Sequence, residues 1–507
     1  MTRHAAAILL TRSAGPDREV YLVERSKELR FFGGYWALPG GVLGAEDGAA
    51  DDPASLRRCA VRELFEETGV LLDPALSATP ASERLRVRRA MLGDDHDAGV
   101  RAWQELCGPH RGERAVTDVC RIVTPPFAPT RYDTLFVRAE LPAGESPEVW
   151  PGELVAGRFV RPAAALDAWR RGELMLVPPV VILFEHLVRA RDLQEFDAVM
   201  AATAAGYEAG RLHHVRFSPG VLLASLRSPT LPPATTTNCY IVGESELWIV
   251  DPAPPDADEQ ERLFVLLDKL RGAGARLAGI LVTHHHGDHV GAVAATSARY
   301  GLPVRGHPLT LERLRGDFTR GAPLHDGDVI PLGRAPDGTP GWHLQALFTP
   351  GHDRGHLCFR ESRYDAVLVG DMLSTISTIV IDPPEGHLRT YLASLTRLLD
   401  VPMGTLYPAH GPAVRDGHRL VRQYLRHRAQ REQKLISVLA AGPADAATLL
   451  PQVYWDVDPR MFGVAARSLA AGLEKLAEDG VARVDAAGIW HLLPGRASST
   501  ADPGVAR

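Results

Sequence analysis

Thr283-His284-His285-His286-Gly287-Asp288-His289 places four candidate metal ligands, His284, His286, Asp288 and His289, within six positions. The run follows an apolar segment, Gly279–Val282, and precedes the small-residue segment Val290–Ala295. Ligands this close in sequence can surround a cation only on a tight loop, and imidazole with carboxylate suits zinc. Three further candidates occur downstream: His352 in Thr349-Pro350-Gly351-His352, Asp371 in Val369-Gly370-Asp371, and His410 in Tyr407-Pro408-Ala409-His410-Gly411. Each follows a short apolar run and a turn residue, where strand ends project side chains into a shared cleft.

These residues resemble the metallo-β-lactamase fold superfamily. The resemblance implies an αββα sandwich with two metals, Zn2+, at one sheet edge. It implies that His284, His286 and His352 hold one ion, that Asp288, His289 and His410 hold the other, and that Asp371 bridges them. Asp251, ending a strand-like run as Val250-Asp251-Pro252, matches the family's structural Asp and is expected to brace the histidine loop. Two divalent cations lower the pKa of a shared water, which makes hydrolysis of a carbonyl or phosphoryl centre the expected chemistry. Asp288 is expected to ligate and to handle the proton. His285 occupies a variable position of the motif and is expected to face solvent. His356 is expected to be structural or pocket-lining, and Cys358 to lie in strand core.

A closer resemblance spans about 212–495. Thr237-Asn238-Cys239-Tyr240-Ile241-Val242-Gly243, Asp382-Pro383-Pro384-Glu385-Gly386 and Tyr424-Leu425-Arg426-His427-Arg428 look like the β-lactamase-like protein 2 group. That group carries a C-terminal winged-helix-like domain. Here Ala441-Gly442-Pro443 is the expected turn between its helices, and Leu469, Leu473 and Leu476 have the spacing of a packed helix face. Group members resemble either thioesterases acting on carrier-bound acyl chains or single-strand endoribonucleases, so the resemblance leaves the substrate open.

Arg415, Arg419, Arg422 and Arg426 recur at steps of four, three and four, which predicts one face of a helix. Arg428, Arg431 and Lys434 extend the basic run against only Asp416 and Glu432. One reading is a phosphate-binding wall for RNA or a coenzyme A-type handle; the other is a solvated helix face. Aromatic residues that could stack on bases are not interleaved.

A second chemical signal lies near the N-terminus: Arg62-Glu63-Leu64-Phe65-Glu66-Glu67-Thr68-Gly69-Val70. Glu63, Glu66 and Glu67 share one helical face. Three clustered carboxylates repel unless a cation neutralises them, and hard oxygen ligands favour Mg2+ or Mn2+. Arg62 is spaced to pin Glu66. Asp52 is the expected N-cap, with Pro53 at the first helical position and Gly69 as the stop. These residues resemble the Nudix box, preceded by Pro39-Gly40-Gly41. The resemblance implies an αβα sandwich that hydrolyses a diphosphate linked to a moiety X, with Glu66 as a catalytic and metal-binding residue. One position departs: the box expects a Glu eight residues before Arg62, where Ala54 stands. Gly48 keeps the spacing of the opening Gly, and Glu46, Asp51 or Asp52 are candidates to compensate. Phe31–Gly41, Arg131-Tyr132-Asp133-Thr134 and Arg171-Gly172-Glu173-Leu174 resemble Nudix proteins of the peroxisomal coenzyme A diphosphatase type.

The bulk properties fit two fused hydrolases. A chain of 507 residues suggests about three domains at roughly 150 residues each. The expected division is 1–200 for the Nudix-like domain, 212–413 for the metallo-β-lactamase-like domain and 414–495 for the winged-helix-like domain, with 496–507 a disordered tail. A net charge of -6 gives no global field toward nucleic acid or membrane. Five dispersed cysteines without a C-x-x-C pair argue against a disulfide framework. No apolar run is long enough for a signal peptide core or a membrane span, so a cytoplasmic location is expected. The expected partners are small-molecule diphosphates or thioesters, with RNA as the alternative. A further alternative is that one domain is a degenerate binding module, the Ala54 departure pointing to the Nudix half.

Overall fold

A computed structural model describes residues 2–29, 32–108, 112–150 and 152–494. The expected tail 496–507 and Phe31 lie outside the described residues. Contacts divide the chain into two compact units: 1–225 with 336–339, and 226–335 with 340–507.

In the first unit, the strand Thr2–Arg12 lies at the centre of a mixed sheet. It pairs in parallel with Arg131–Glu140 and antiparallel with Glu19–Arg25 and Gly40–Val42. Side chains alternate across a strand. Ala6, Ile8 and Leu10 therefore enter one core with Tyr21 and Val23, whereas Leu9 enters the other with Val20 and Leu22. Both faces are apolar, so both must be covered by helices. The helix Pro53–Thr68 covers the first face through Leu56, Cys59, Ala60, Leu64 and Phe65. Helices Pro162–Arg170, Pro178–Arg189 and Leu193–Glu208 cover the other. This is an αβα sandwich. Phe196, Met200 and Ala204 are buried in that second core, so the Ala-rich helix packs as part of the sandwich.

The second unit contains two large sheets. One includes, as consecutive neighbours, Thr319–Arg320, Pro303–Arg305, Arg276–Leu281, Glu246–Val250 and Thr236–Gly243. The other runs Val329–Arg334, Pro340–Phe348, Leu357–Glu361, Ala366–Gly370, Thr405–Pro408. The near-continuous burial of Thr236–Gly243 and Ala366–Gly370 marks strands covered on both faces. The sheets are tied by Tyr240, whose ring meets Tyr407 edge-on at 5.4 Å and whose hydroxyl donates to the Pro408 carbonyl. Trp248 adds a hydrogen bond from Nε1 to the Pro331 carbonyl at 3.3 Å.

The long helix Gly417–Ala441 belongs to two cores. Val421 and Tyr424 pack beside Tyr391 and Leu395, while Leu435, Ile436 and Leu439 pack against Leu449, Leu469, Leu473 and Leu476. The latter core joins helices Ala446–Val453 and Phe462–Glu478 to a hairpin of Ala482–Val484 and Trp490–Leu492, a small winged-helix arrangement. Arg428, buried above the Tyr391 ring, donates to the Ile379 carbonyl and fixes the helix at the junction. Among the described residues no helix is long and apolar enough to cross a membrane.

Candidate metal centres

In the second unit every predicted ligand follows the C-terminal end of a strand. His284 and His286 leave Arg276–Leu281, and Asp288 and His289 lie in the short helix Gly287–Val290. His352 follows Pro340–Phe348, Asp371 follows Ala366–Gly370, and His410 follows Thr405–Pro408. Asp251 hydrogen-bonds to the histidine loop. Its Oδ1 accepts from the Thr283 amide at 2.8 Å, and its Oδ2 accepts from the Thr283 hydroxyl at 2.7 Å and from His289 Nδ1 at 2.9 Å.

The seven residues converge as two groups: His284, His286, His352 and Asp371; and Asp288, His289 and His410. His286 Nδ1 lies 2.9 Å from His284 Nε2 and 3.0 Å from His352 Nε2. Asp371 joins the groups. Its Oδ2 is 3.5 Å from His352 Nε2, and its Oδ1 is 3.3 Å from His410 Nε2 and 3.5 Å from His289 Nε2. Asp288 Oδ2 lies 3.6 Å from His410 Nε2.

Hydrogen-bond logic fixes which nitrogens carry lone pairs. Val380 and Thr236 carbonyls can only accept, so His352 and His410 direct Nδ1–H at them, at 2.9 and 3.1 Å. Thr283 spends its hydroxyl proton on Asp251 and so accepts from His284 Nδ1 at 3.0 Å. The Nε2 lone pairs of His284 and His352 thus both face His286 Nδ1, which can donate to one of them at most. His289 Nε2 and Asp371 Oδ1 are buried with no hydrogen-bond partner. Converging lone pairs around a buried carboxylate are costly alone and fit divalent cations, with outer hydrogen bonds holding each ring in place. The proton affinities differ across the site. Burial holds His284 well below the imidazole range and takes His286 down to about 4. Burial also opposes charge on His289, but Asp371 and Asp288 outweigh it and hold its pKa well above normal.

Two neighbours extend the site. His285 does not face solvent as expected: its side chain is 23% exposed and its Nδ1 pairs with the fully buried Asp353. Burial would raise Asp353, but the pairing with His285 and the Gly355 amide together bring its pKa down to about 2. His356 is fully buried. Its Nε2 accepts the Asp371 amide at 3.2 Å, and its Nδ1 is 2.9 Å from the Thr349 hydroxyl. It therefore fixes the backbone that presents the shared carboxylate, a role its position four residues after His352 did not reveal. Gly370 has φ of 49°, and a Cβ there would stand 2.6 Å from His356 Nε2. Cys358 is strand core, as expected.

In the first unit, Asp52 caps the helix by accepting from the Ala54 amide at 2.9 Å, and Gly69 closes it in the left-handed region at φ 75°. Arg62 is the hub of the acidic face. It reaches Glu66 at 3.2 Å, Glu63 at 3.0 Å and Glu46 at 3.4 Å. Its tightest hold is on Asp47, through two bonds of 2.9 Å. Sequence reasoning did not single out Asp47, because loop residues carry no periodicity that would aim them. Asp52 is committed to the cap and to Arg58, and Asp51 is exposed; neither reaches the acidic face. Glu67 accepts from the Gly40 amide at 3.0 Å. A Cβ on Gly41 would meet the Glu63 carboxylate at 2.4 Å, so glycine there leaves that carboxylate its place. Burial raises the pKa of all three glutamates, Glu63 to about 7. Buried carboxylates that resist ionisation alone fit a hard divalent cation.

The basic run divides. Arg419, Arg422 and Arg426 lie exposed on Gly417–Ala441, but Arg415 precedes the N-cap Asp416 and is not on the helix. Arg419 pairs with Asp416, and Arg431 leaves the basic face to pair with Asp456 and cover the Tyr454 ring.

Comparison with known proteins gives the same order of parts. Family models match as a NUDIX domain over 1–104, the metallo-beta-lactamase superfamily over 232–410, and a beta-lactamase associated winged helix domain over 446–490. Lactamase-like protein vrtG of Penicillium aethiopicum is 30% identical over 232 residues, covering 45% of this chain and 68% of that protein. A beta-lactamase-like protein 2 homolog of Caenorhabditis elegans is 27% identical over 251 residues, 48% of this chain and 80% of that one. Atrochrysone carboxyl ACP thioesterase nsrC of Aspergillus novofumigatus is 26% identical over 288 residues, 54% of this chain and 84% of that one. Fold, site and relatives converge: the chain is a hydrolase of the metallo-β-lactamase superfamily, with a Nudix hydrolase domain before that fold and its associated winged helix after it.

Proposed function

We propose that the chain is a bifunctional hydrolase: the second unit cleaves thioesters of coenzyme A or a carrier with two Zn2+, and the first cleaves a diphosphate linked to a moiety X with Mg2+ or Mn2+. The observation that carries this reading is Asp371, whose two oxygens face two separate groups of nitrogen and carboxylate donors. The thioester preference draws on the relative named as an acyl-carrier thioesterase. A cytoplasmic location is in keeping with five free, buried cysteines.

His284, His286 and His352 would hold one ion, Asp288, His289 and His410 the other, with Asp371 shared. Bound there, the ions supply Lewis acidity toward the carbonyl oxygen and acidify water to near neutrality. The chain orients and excludes. Asp251, Val380 and Thr236 take the Nδ1 protons of His289, His352 and His410, leaving each Nε2 lone pair facing inward. Asp288, with 17% of its side chain exposed at the cleft, holds and passes on the proton. In the first unit, Glu63, Glu66 and Glu67 would hold the cation and Glu66 would accept the proton of the attacking water. Arg415, Arg419, Arg422 and Arg426 are assigned, as an exposed group, to the phosphates of the coenzyme handle.

A substrate panel on the purified full chain tests the reading. Acyl-coenzyme A thioesters should release free thiol, and dinucleoside diphosphates should release phosphate-terminated products. Cleavage of single-stranded RNA with no thiol release would replace the thioesterase by a nuclease.

A further inference from the structure

The acidic face of the first unit lacks the carboxylate expected at position 54, and the loop Ala45–Asp47 brings two others to it. Asp47 takes the two close bonds from Arg62. Glu46 keeps only a longer ion pair: its side chain is 6% exposed, and its Oε1 lies 3.4 Å from Arg62 Nε. Its Oε2 is buried with no hydrogen-bond donor. His96 Nε2 lies 3.8 Å from that oxygen, on a ring that is 75% exposed. Glu46 also faces Glu66 closely enough to oppose its ionisation. A buried carboxylate oxygen without a donor is unfavourable by itself and is satisfied by a hard cation.

We propose that Glu46 is a metal ligand of the first unit's site, replacing from the loop the carboxylate missing at Ala54, while Asp47 takes over the anchoring of Arg62. The ligand class is Mg2+ or Mn2+. The assignment rests on the Nudix reading of this unit and adds a residue to it.

The test is a Mn2+ titration of the full chain followed by electron paramagnetic resonance, with the binding class lost in Glu66→Gln defining the first unit's site. Glu46→Gln should weaken that class by about tenfold or more. It should also shrink the Mn2+-induced rise in melting temperature, while in chelator it melts no lower than wild type because repulsion with Glu66 is relieved. Asp51→Asn, on the exposed part of the loop, should bind as wild type. Unchanged Mn2+ affinity in Glu46→Gln, with the Glu66-dependent class present, overturns the Glu46 assignment alone. So does a loss of melting temperature in chelator as large as with metal, which marks a purely structural role. If Glu66→Gln removes no Mn2+ class, the Nudix metal reading falls and the assignment falls with it.

Discussion

The backbone amide of Asp371 donates to Nε2 of His356 at 3.2 Å, so a histidine outside both donor groups sets the carboxylate that joins them. His356→Ala should keep the fold yet weaken metal binding by about 10- to 100-fold, as loss of an outer hydrogen bond to a ligand typically does. Competition with a colorimetric chelator checks this. Gly370→Ala should act in the same direction, since its Cβ would press on His356 Nε2.

Metal content follows from the two donor groups. The full chain should take up about two zinc equivalents that depend on the second unit. Asp371→Ala should reduce that number, measured by elemental analysis after dialysis. A wild-type chain that resists zinc loading would count against the site.

The first unit's metal affinity should depend on pH. Glu63 retains its proton up to about pH 7 because it is buried, and a cation must displace that proton. Mn2+ affinity should therefore rise with pH and level off above about 7. Without metal the sign reverses. The folded form holds this proton more tightly than the unfolded chain, so stability in chelator should fall as pH rises from the ordinary carboxyl range through about 7. Glu63→Gln should flatten both profiles, read by titration calorimetry and thermal melts.

The exposed arginines give an electrostatic prediction. If Arg415, Arg419, Arg422 and Arg426 meet phosphates, replacing all four by Gln should raise KM for acyl-coenzyme A and flatten its salt dependence. Unchanged KM at low salt assigns them to a solvated face.

Much of this architecture was legible in the sequence because its signals are local. Asp52, Pro53 and Gly69 mark a helix by capping chemistry, and helical spacing puts Glu63, Glu66 and Glu67 on one face. The histidine loop is dense enough that few geometries could use it. What stayed hidden depends on contacts distant in sequence or on loops without periodicity. His285 turns inward because Asp353 waits for it from another loop. Arg62 finds Asp47 across a turn whose direction spacing cannot give. Arg415 fits the helical spacing, yet Asp416 starts the helix after it.

The proposed function places two independent hydrolytic centres in one chain. The direct measurement is a paired assay, thiol release from an acyl-coenzyme A and hydrolysis of a dinucleoside diphosphate, on wild type, Asp288→Ala and Glu66→Gln. Asp288→Ala should lose thiol release by about a thousandfold and keep diphosphate hydrolysis; Glu66→Gln should do the reverse by a similar factor. Full thiol release by Asp288→Ala, or loss of both activities in either variant with the fold intact, would contradict it.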